Sequence, residues 1–167
     1  MPSESSAQPQ PVLAPLTPAA IFLVVTMDEG GEATVHDALP DISGQVRAIG
    51  FRDPTKHLSV IASVGSEAWD RLFTGPRPAE LHPFIELEGP RHAAPATPGD
   101  LLFHIRAETM DVCFELANRI LKSMAGAVTG PPGSLTSTTR RPAMCRLNVR
   151  VASNSISVQA SSVIGAR

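Results

Sequence analysis

The strongest constraint on this chain is a break in its chemistry at Gly130. Residues 1–129 hold all 16 acidic residues and nine of the 14 basic ones, a formal charge of −7. Residues 130–167 hold five arginines, no lysine, no acid, no histidine and no aromatic side chain, a formal charge of +5. Ten of those last 38 residues are Ser or Thr. So abrupt a shift marks a boundary. It falls at Gly130-Pro131-Pro132-Gly133, a stop and turn signal directly after a helical pattern. Three segments are expected: a mobile arm over 1–18, rich in Pro, Gln, Ser and Ala; a folded unit over 19–129; and a basic Ser/Arg-rich tail over 130–167. Two weak alternating runs cross the tail, Leu147, Val149 and Val151, then Ile156, Val158, Val163 and Ile164. The tail is expected to be disordered or a marginal hairpin.

The remaining composition narrows the class. A hydrophobic fraction of 43% is enough for one buried core. The net charge of −2 argues against nucleic acid or an anionic membrane as a partner. Cys113 and Cys145 are too few for a disulfide framework and lack C-x-x-C spacing. The N-terminus has no basic region of a secretory signal, and the first apolar run, Ala19 to Val25, is far short of the roughly 20 residues of a membrane span. A reduced cytoplasmic protein is the expectation.

Within the folded unit, Ala20 to Thr26 is apolar and rich in β-branched residues, and reads as a buried strand ended by Gly30-Gly31. Asp41 is placed as the N-cap of a helix carrying Ile42, Val46 and Ile49 on one face, closed by Asp53-Pro54. His57 to Val64 reads as a second strand, and Ser66 as the cap of a short helix from Glu67 to Phe73 with Trp69 and Phe73 paired. Gly75 to Pro98 reads mostly as loop, with Phe84 to Leu87 as one extended candidate. Asp100 to Arg106 is a third strand, with Leu101, Phe103 and Ile105 on one face and Leu102, His104 and Arg106 on the other. A long helix follows, N-capped by Thr109, with the stripe Cys113, Ala117, Ile120, Leu121 and Met124. Trp69, Phe103 and Leu116 are expected in the core. Strands alternating with helices predict an α+β fold with helices on one face of the sheet.

Chemistry-bearing patterns are sparse. His36, His57, His82, His92 and His104 show neither helical i, i+4 pairing nor H-E-x-x-H, so each is expected to be structural or solvent-facing. The chain has no G-x-S-x-G and no phosphate-binding glycine loop. Cys113 lies inside an apolar stripe, where a thiol is inert. No catalytic, cofactor-binding or metal-binding residue is assigned from these patterns.

Several segments resemble dye-decolorising (Dyp-type) peroxidases of the compact bacterial class. They are Val46 to Pro54; His57 to Phe73, including Val64-Gly65-Ser66 and Ala68-Trp69-Asp70; Leu81-His82-Pro83-Phe84; Arg91-His92; Ala96 to Ala107; and Asp111 to Leu116. Their order and spacing over residues 11–129 make the match specific. The resemblance implies a ferredoxin-like antiparallel sheet as the first of two such domains, and an oligomeric cytoplasmic enzyme using haem and hydrogen peroxide to oxidise dyes and phenols. It places the haem mainly in the second domain, with a proximal His, a distal Asp in G-x-x-D-G and a distal Arg. None of these carries over: no Asp here precedes Gly, and all five histidines lie inside the first-domain match.

The expectation is therefore an N-terminal peroxidase half, inactive and haem-free by itself, whose sheet lacks its normal last strand because the tail replaces it. A shifted reading frame or a deletion would produce such a tail. Homo-oligomerisation is expected, with no nucleic-acid or membrane partner. Ser162-Val163-Ile164-Gly165 resembles the C-terminal peptides that dock such enzymes in encapsulin shells. The competing reading is a non-catalytic ferredoxin-like dimerisation or interaction domain.

Overall fold

A computed structural model of the chain describes residues 10–94, 96 and 99–130, together with the backbone of three strands at 135–139, 145–152 and 155–162. The folded unit is built on Ala19–Met27 (β1), whose side chains are buried at every second position. Ile21, Leu23 and Val25 point into the core, while Phe22 and Val24 take the other face. The glycine pair ends the strand as expected: Gly30 takes φ +80°, open to glycine at little cost, and Gly31 must approach Ala127 closely.

The following helix, Glu32–Gly50 (α1), starts nine residues before the expected cap at Asp41. Its buried stripe is Val35, Ala38, Ile42 and Ile49, one continuous helical face. Pro40 interrupts the sequence signal but not the helix; the helix forgoes one backbone hydrogen bond there because the tertiary burial of the stripe on both sides holds it. His57 lies outside the second strand, which is Ser59–Val64 (β2). It has φ 48° and closes a 3-10 turn at Pro54–Lys56. The short helix Ser66–Leu72 (α2) begins at Ser66 itself, with Gly65 as N-cap and no side-chain capping bond. Its core contacts are Ala68 and Leu72, so Trp69 is only half-buried, its ring tilted 46° against that of Phe73 at 4.7 Å, contrary to its expected place in the core.

In the proline-rich stretch, Leu87–Glu88 (β3) pairs with Ala93–Ala94 (β4), closed by the Gly89 amide donating to the His92 carbonyl at 2.9 Å. The extended candidate is displaced accordingly: Phe84 and Ile85 precede the strand and are exposed, because the turn at Gly89 sets the pairing. Leu101–Ala107 (β5) and Met110–Ser123 (α3) follow the expected pattern. Phe103, Ile105, Cys113, Leu116, Ala117 and Ile120 are buried, and Thr109 sits at the N-cap.

β5 pairs antiparallel with β1, Leu23 opposite Phe103, and with β2, Ala62 opposite Phe103. The helices α1 and α3 pack on one face. The unit is a ferredoxin-like α+β fold, two β-α-β crossovers sharing a sheet. Beside β1, where the sheet is expected to lack its closing strand, the place is filled: Val128–Thr129 (β6) pairs with Met27 and Thr26. Beyond residues 131–134, which are not described, the backbone of Leu135–Thr139 (β7) pairs with Leu23 to Ala19. The two alternating runs of the tail lie further out. Cys145–Ala152 (β8) pairs with β7, and Ser155–Ser162 (β9) with β8. The first extended segment after the turn reaches β1, and later ones stack outward from it. The Val163-Ile164-Gly165 pattern lies outside the described residues.

Candidate functional site

The five histidines are not brought together. His36 on α1 is exposed, 3.4 Å from the Asp37 carboxylate; His57 ends the 3-10 turn; the exposed His82 bonds the Pro83 carbonyl at 2.9 Å; His92 lies in the β3–β4 turn. Among the described residues no group of three His, Cys, Asp or Glu side chains has a metal-binding arrangement. Cys113 is fully buried on α3, and burial pushes its thiol up to about 12, so it stays protonated and unreactive. The Cys145 side chain lies outside the described residues.

Acidic and basic groups converge at one end of the sheet. Arg71, in the last turn of α2, donates through Nε and Nη2 to Glu32 Oε1 at 3.0 and 2.6 Å. Its guanidinium also reaches the carbonyls of Met27 and Asp28 at 3.2 and 3.1 Å. The Asp100 carboxylate, 3.7 Å from Arg71, accepts the Met27 amide at 2.7 Å. The guanidinium holds the Glu32 carboxyl below the usual carboxylate range. Through these bonds the cluster clasps β1, α1, α2 and β5 together.

The surface best suited to function is the sheet face opposite the helices. Alternation on β1, β2 and β5 brings Phe22, Val24, Ile61, Leu102 and His104 onto it, all half-buried. His104 stacks flat on Phe22, ring centres 4.3 Å apart and planes 15° from parallel. Burial, with Arg106 nearby, pushes the imidazole pKa down, so it is neutral and apolar in character. Arg106 is 5% exposed and donates to the Pro11 and Ala14 carbonyls at 2.6 and 3.2 Å, tying the N-terminal arm across this end of the face. The face is suited to receiving a protein surface. Arg106 had a signal in the sequence, a charge on a strand between apolar neighbours, which demands buried partners. Gln10, which bonds the backbone of Ala62 through both ends of its side-chain amide, had none.

Comparisons with known proteins agree over one region. A family model described as Dyp-type peroxidase, N-terminal, matches residues 9–130. A dye-decolorizing peroxidase of Mycolicibacterium paratuberculosis is 82% identical over 122 residues, 73% of this chain and 34% of that protein. One from Mycobacterium tuberculosis is 81% identical over 124 residues, 74% of this chain and 37% of that protein. Among solved structures, the encapsulated DyP-type peroxidase of Mycobacterium smegmatis gives a TM-score of 0.76 at 72% identity, over 80% of this chain and 43% of that one. A Rhodococcus jostii DypB variant in complex with heme gives 0.73 at 41%, over 81% and 44%. The chain thus spans about a third of the length of the curated relatives it matches.

Proposed function

This chain belongs to the Dyp-type peroxidase family, and we propose that it supplies the first ferredoxin-like domain of a peroxidase using haem and hydrogen peroxide to oxidise dyes and phenols. The supporting observation is the near-complete overlap of the folded unit with the N-terminal family match at residues 9–130. We divide the chain into an arm over 1–18, the peroxidase domain over 19–129 and the tail over 130–167.

The described residues do not fit a haem. An axial imidazole must face an apolar cavity wide enough for a porphyrin. Here four histidines are exposed and the fifth is stacked on Phe22. No catalytic or cofactor-binding residue is therefore assigned, and no step of peroxide chemistry is derived for this chain. Its contribution is a scaffold, with the sheet face around Phe22 and His104 packing against the part that holds the cofactor. That half-buried apolar face also supports the second reading, an interaction domain without catalysis. No helix among the described residues is long and apolar enough to cross a membrane; the proposed location is cytoplasmic. The proposed partners are further copies of the chain and, by analogy with the encapsulated mycobacterial structure, an encapsulin shell.

Hemin titration tests the reading. The purified chain should give no one-to-one Soret complex and no peroxide-dependent dye oxidation. A stoichiometric complex lost on replacing one of the five histidines would refute the scaffold role. Sequencing the locus separates the two readings. A G-x-x-D-G motif followed by a histidine, in any frame after codon 129, supports peroxidase ancestry, and its absence favours the interaction domain.

A further inference from the structure

Among the described residues, β2 is the outermost strand of the sheet on the side away from the tail, paired with β5 alone. Sheet edges in proteins are usually guarded by a charge, a proline or a bulge, because open edges pair with one another. Ser59-Val60-Ile61-Ala62-Ser63-Val64 carries neither charge nor proline. Its guard comes from elsewhere. The Gln10 side chain accepts the Ala62 amide at 2.7 Å and donates to the Ala62 carbonyl at 3.1 Å, the two bonds a neighbouring strand would make.

This pair also identifies the outward-facing groups. Since the Ala62 amide and carbonyl point away from β5, antiparallel alternation sends those of Val60 and Val64 the same way. Among the described residues, Gln10 satisfies only the middle one of the three. The arm bearing Gln10 is held by hydrogen bonds from Arg106 to Pro11 and Ala14, while its Val12 and Leu13 are 60% and 97% exposed. A cover made of a few polar bonds, with its apolar side chains in solvent, is readily displaced.

We propose that the β2 edge is a self-association surface, where a second copy's β2 replaces Gln10 and the two strands pair antiparallel about a two-fold axis at Ala62. In that register Ala62 faces Ala62 of the partner subunit and Val60 faces Val64 of the partner subunit. The uncharged strand brings no like charges opposite each other, which favours a second copy over a charged peptide. An open groove of about 490 Å³ beside the edge, lined by Val64, Trp69, Phe73 and Leu81, gives the incoming copy apolar surface to cover. The proposal specifies the contact for the homo-oligomer proposed above. It does not depend on haem, so the hemin titration and this test fail independently.

The test is sedimentation equilibrium combined with amide hydrogen exchange on the full chain. Gln10→Ala uncovers the edge and should lower the dimer dissociation constant about tenfold. The Val60, Ala62 and Val64 amides should be slowed in the dimer relative to the monomer. Adding Ser63→Lys, an exposed position one residue from the axis, should return the protein to monomer. The proposal is overturned by an unchanged dissociation constant in Gln10→Ala, by a dimer leaving those three amides unprotected, or by a dimer that survives Ser63→Lys.

Discussion

Arg71 and Glu32, 39 residues apart, form a two-donor contact in which Nε and Nη2 of the guanidinium share one carboxylate oxygen. The same guanidinium binds the carbonyls of Met27 and Asp28, so one side chain joins the end of β1, the start of α1 and the end of α2. Arg71→Ala should lower the melting temperature by several degrees. Arg71→Lys should recover only part, because an ammonium cannot span the carboxylate and both carbonyls in one plane. The effect is pH-dependent with a definite sign. Glu32 is held below its ordinary value of 4.5, chiefly by the Arg71 hydrogen bond, so the folded state favours the carboxylate. That stability is present above 4.5 and lost as pH falls through the lowered folded value. Thermal melts of wild type and Arg71→Ala should converge on acidification; a gap that persists would show the carbonyl contacts dominate.

Leu116 is fully buried on α3, facing the sheet. Leu116→Ala should cost about 2–5 kcal/mol through lost transfer energy and the cavity left behind. Urea denaturation measures it, and a loss under about 0.5 kcal/mol would mean that the helix is not packed as described.

A methyl group at Gly31 would stand 2.5 Å from the carbonyl oxygen of Ala127. That oxygen belongs to backbone and accepts the Asp28 amide at 2.9 Å, so it cannot swing away. Gly31→Ala should therefore destabilise by about 1–3 kcal/mol, the range for overpacking, and alanine is also the poorer residue at this N-cap position of α1. Stability equal to or above wild type would show that the β1–α1 turn is free to move.

His104 should titrate below its ordinary value of 6.5, because burial and then Arg106 disfavour the imidazolium. A base with a lowered folded pKa makes the unfolded state the better proton acceptor. The stability from keeping His104 neutral is thus present above 6.5 and falls as pH drops through that value. NMR titration of the His104 ring checks the direction, and a midpoint above 6.5 would contradict the stacked, half-buried environment. His104→Phe should keep the stack on Phe22 and remove this part of the pH dependence.

The sequence by itself determined the periodic parts of this protein. Alternation along β1 and β5 put Leu23 and Phe103 on a buried face, and the 3.6-residue stripe of α3 put Cys113, Ala117 and Ile120 against the sheet. The ordered segments from Val46 to Leu116 carried the family likeness, which the match over residues 9–130 establishes. These features are legible because burial on a strand or helix repeats along the chain with a known period. The start of α1 was not legible, since Pro40 and the glycines before Glu32 carry local breaking signals that the buried stripe overrides. Trp69 was misplaced for a related reason: its helix is short, and the depth of each side chain depends on how the helix tilts toward the sheet. Tertiary structure alone decided the contacts between distant segments. Gln10 meets Ala62 across 52 residues, and Arg106 reaches Pro11 across 95. Neither pairing leaves a periodic trace, because each depends on where the folded chain carries its arm, and only the packed sheet fixes that path.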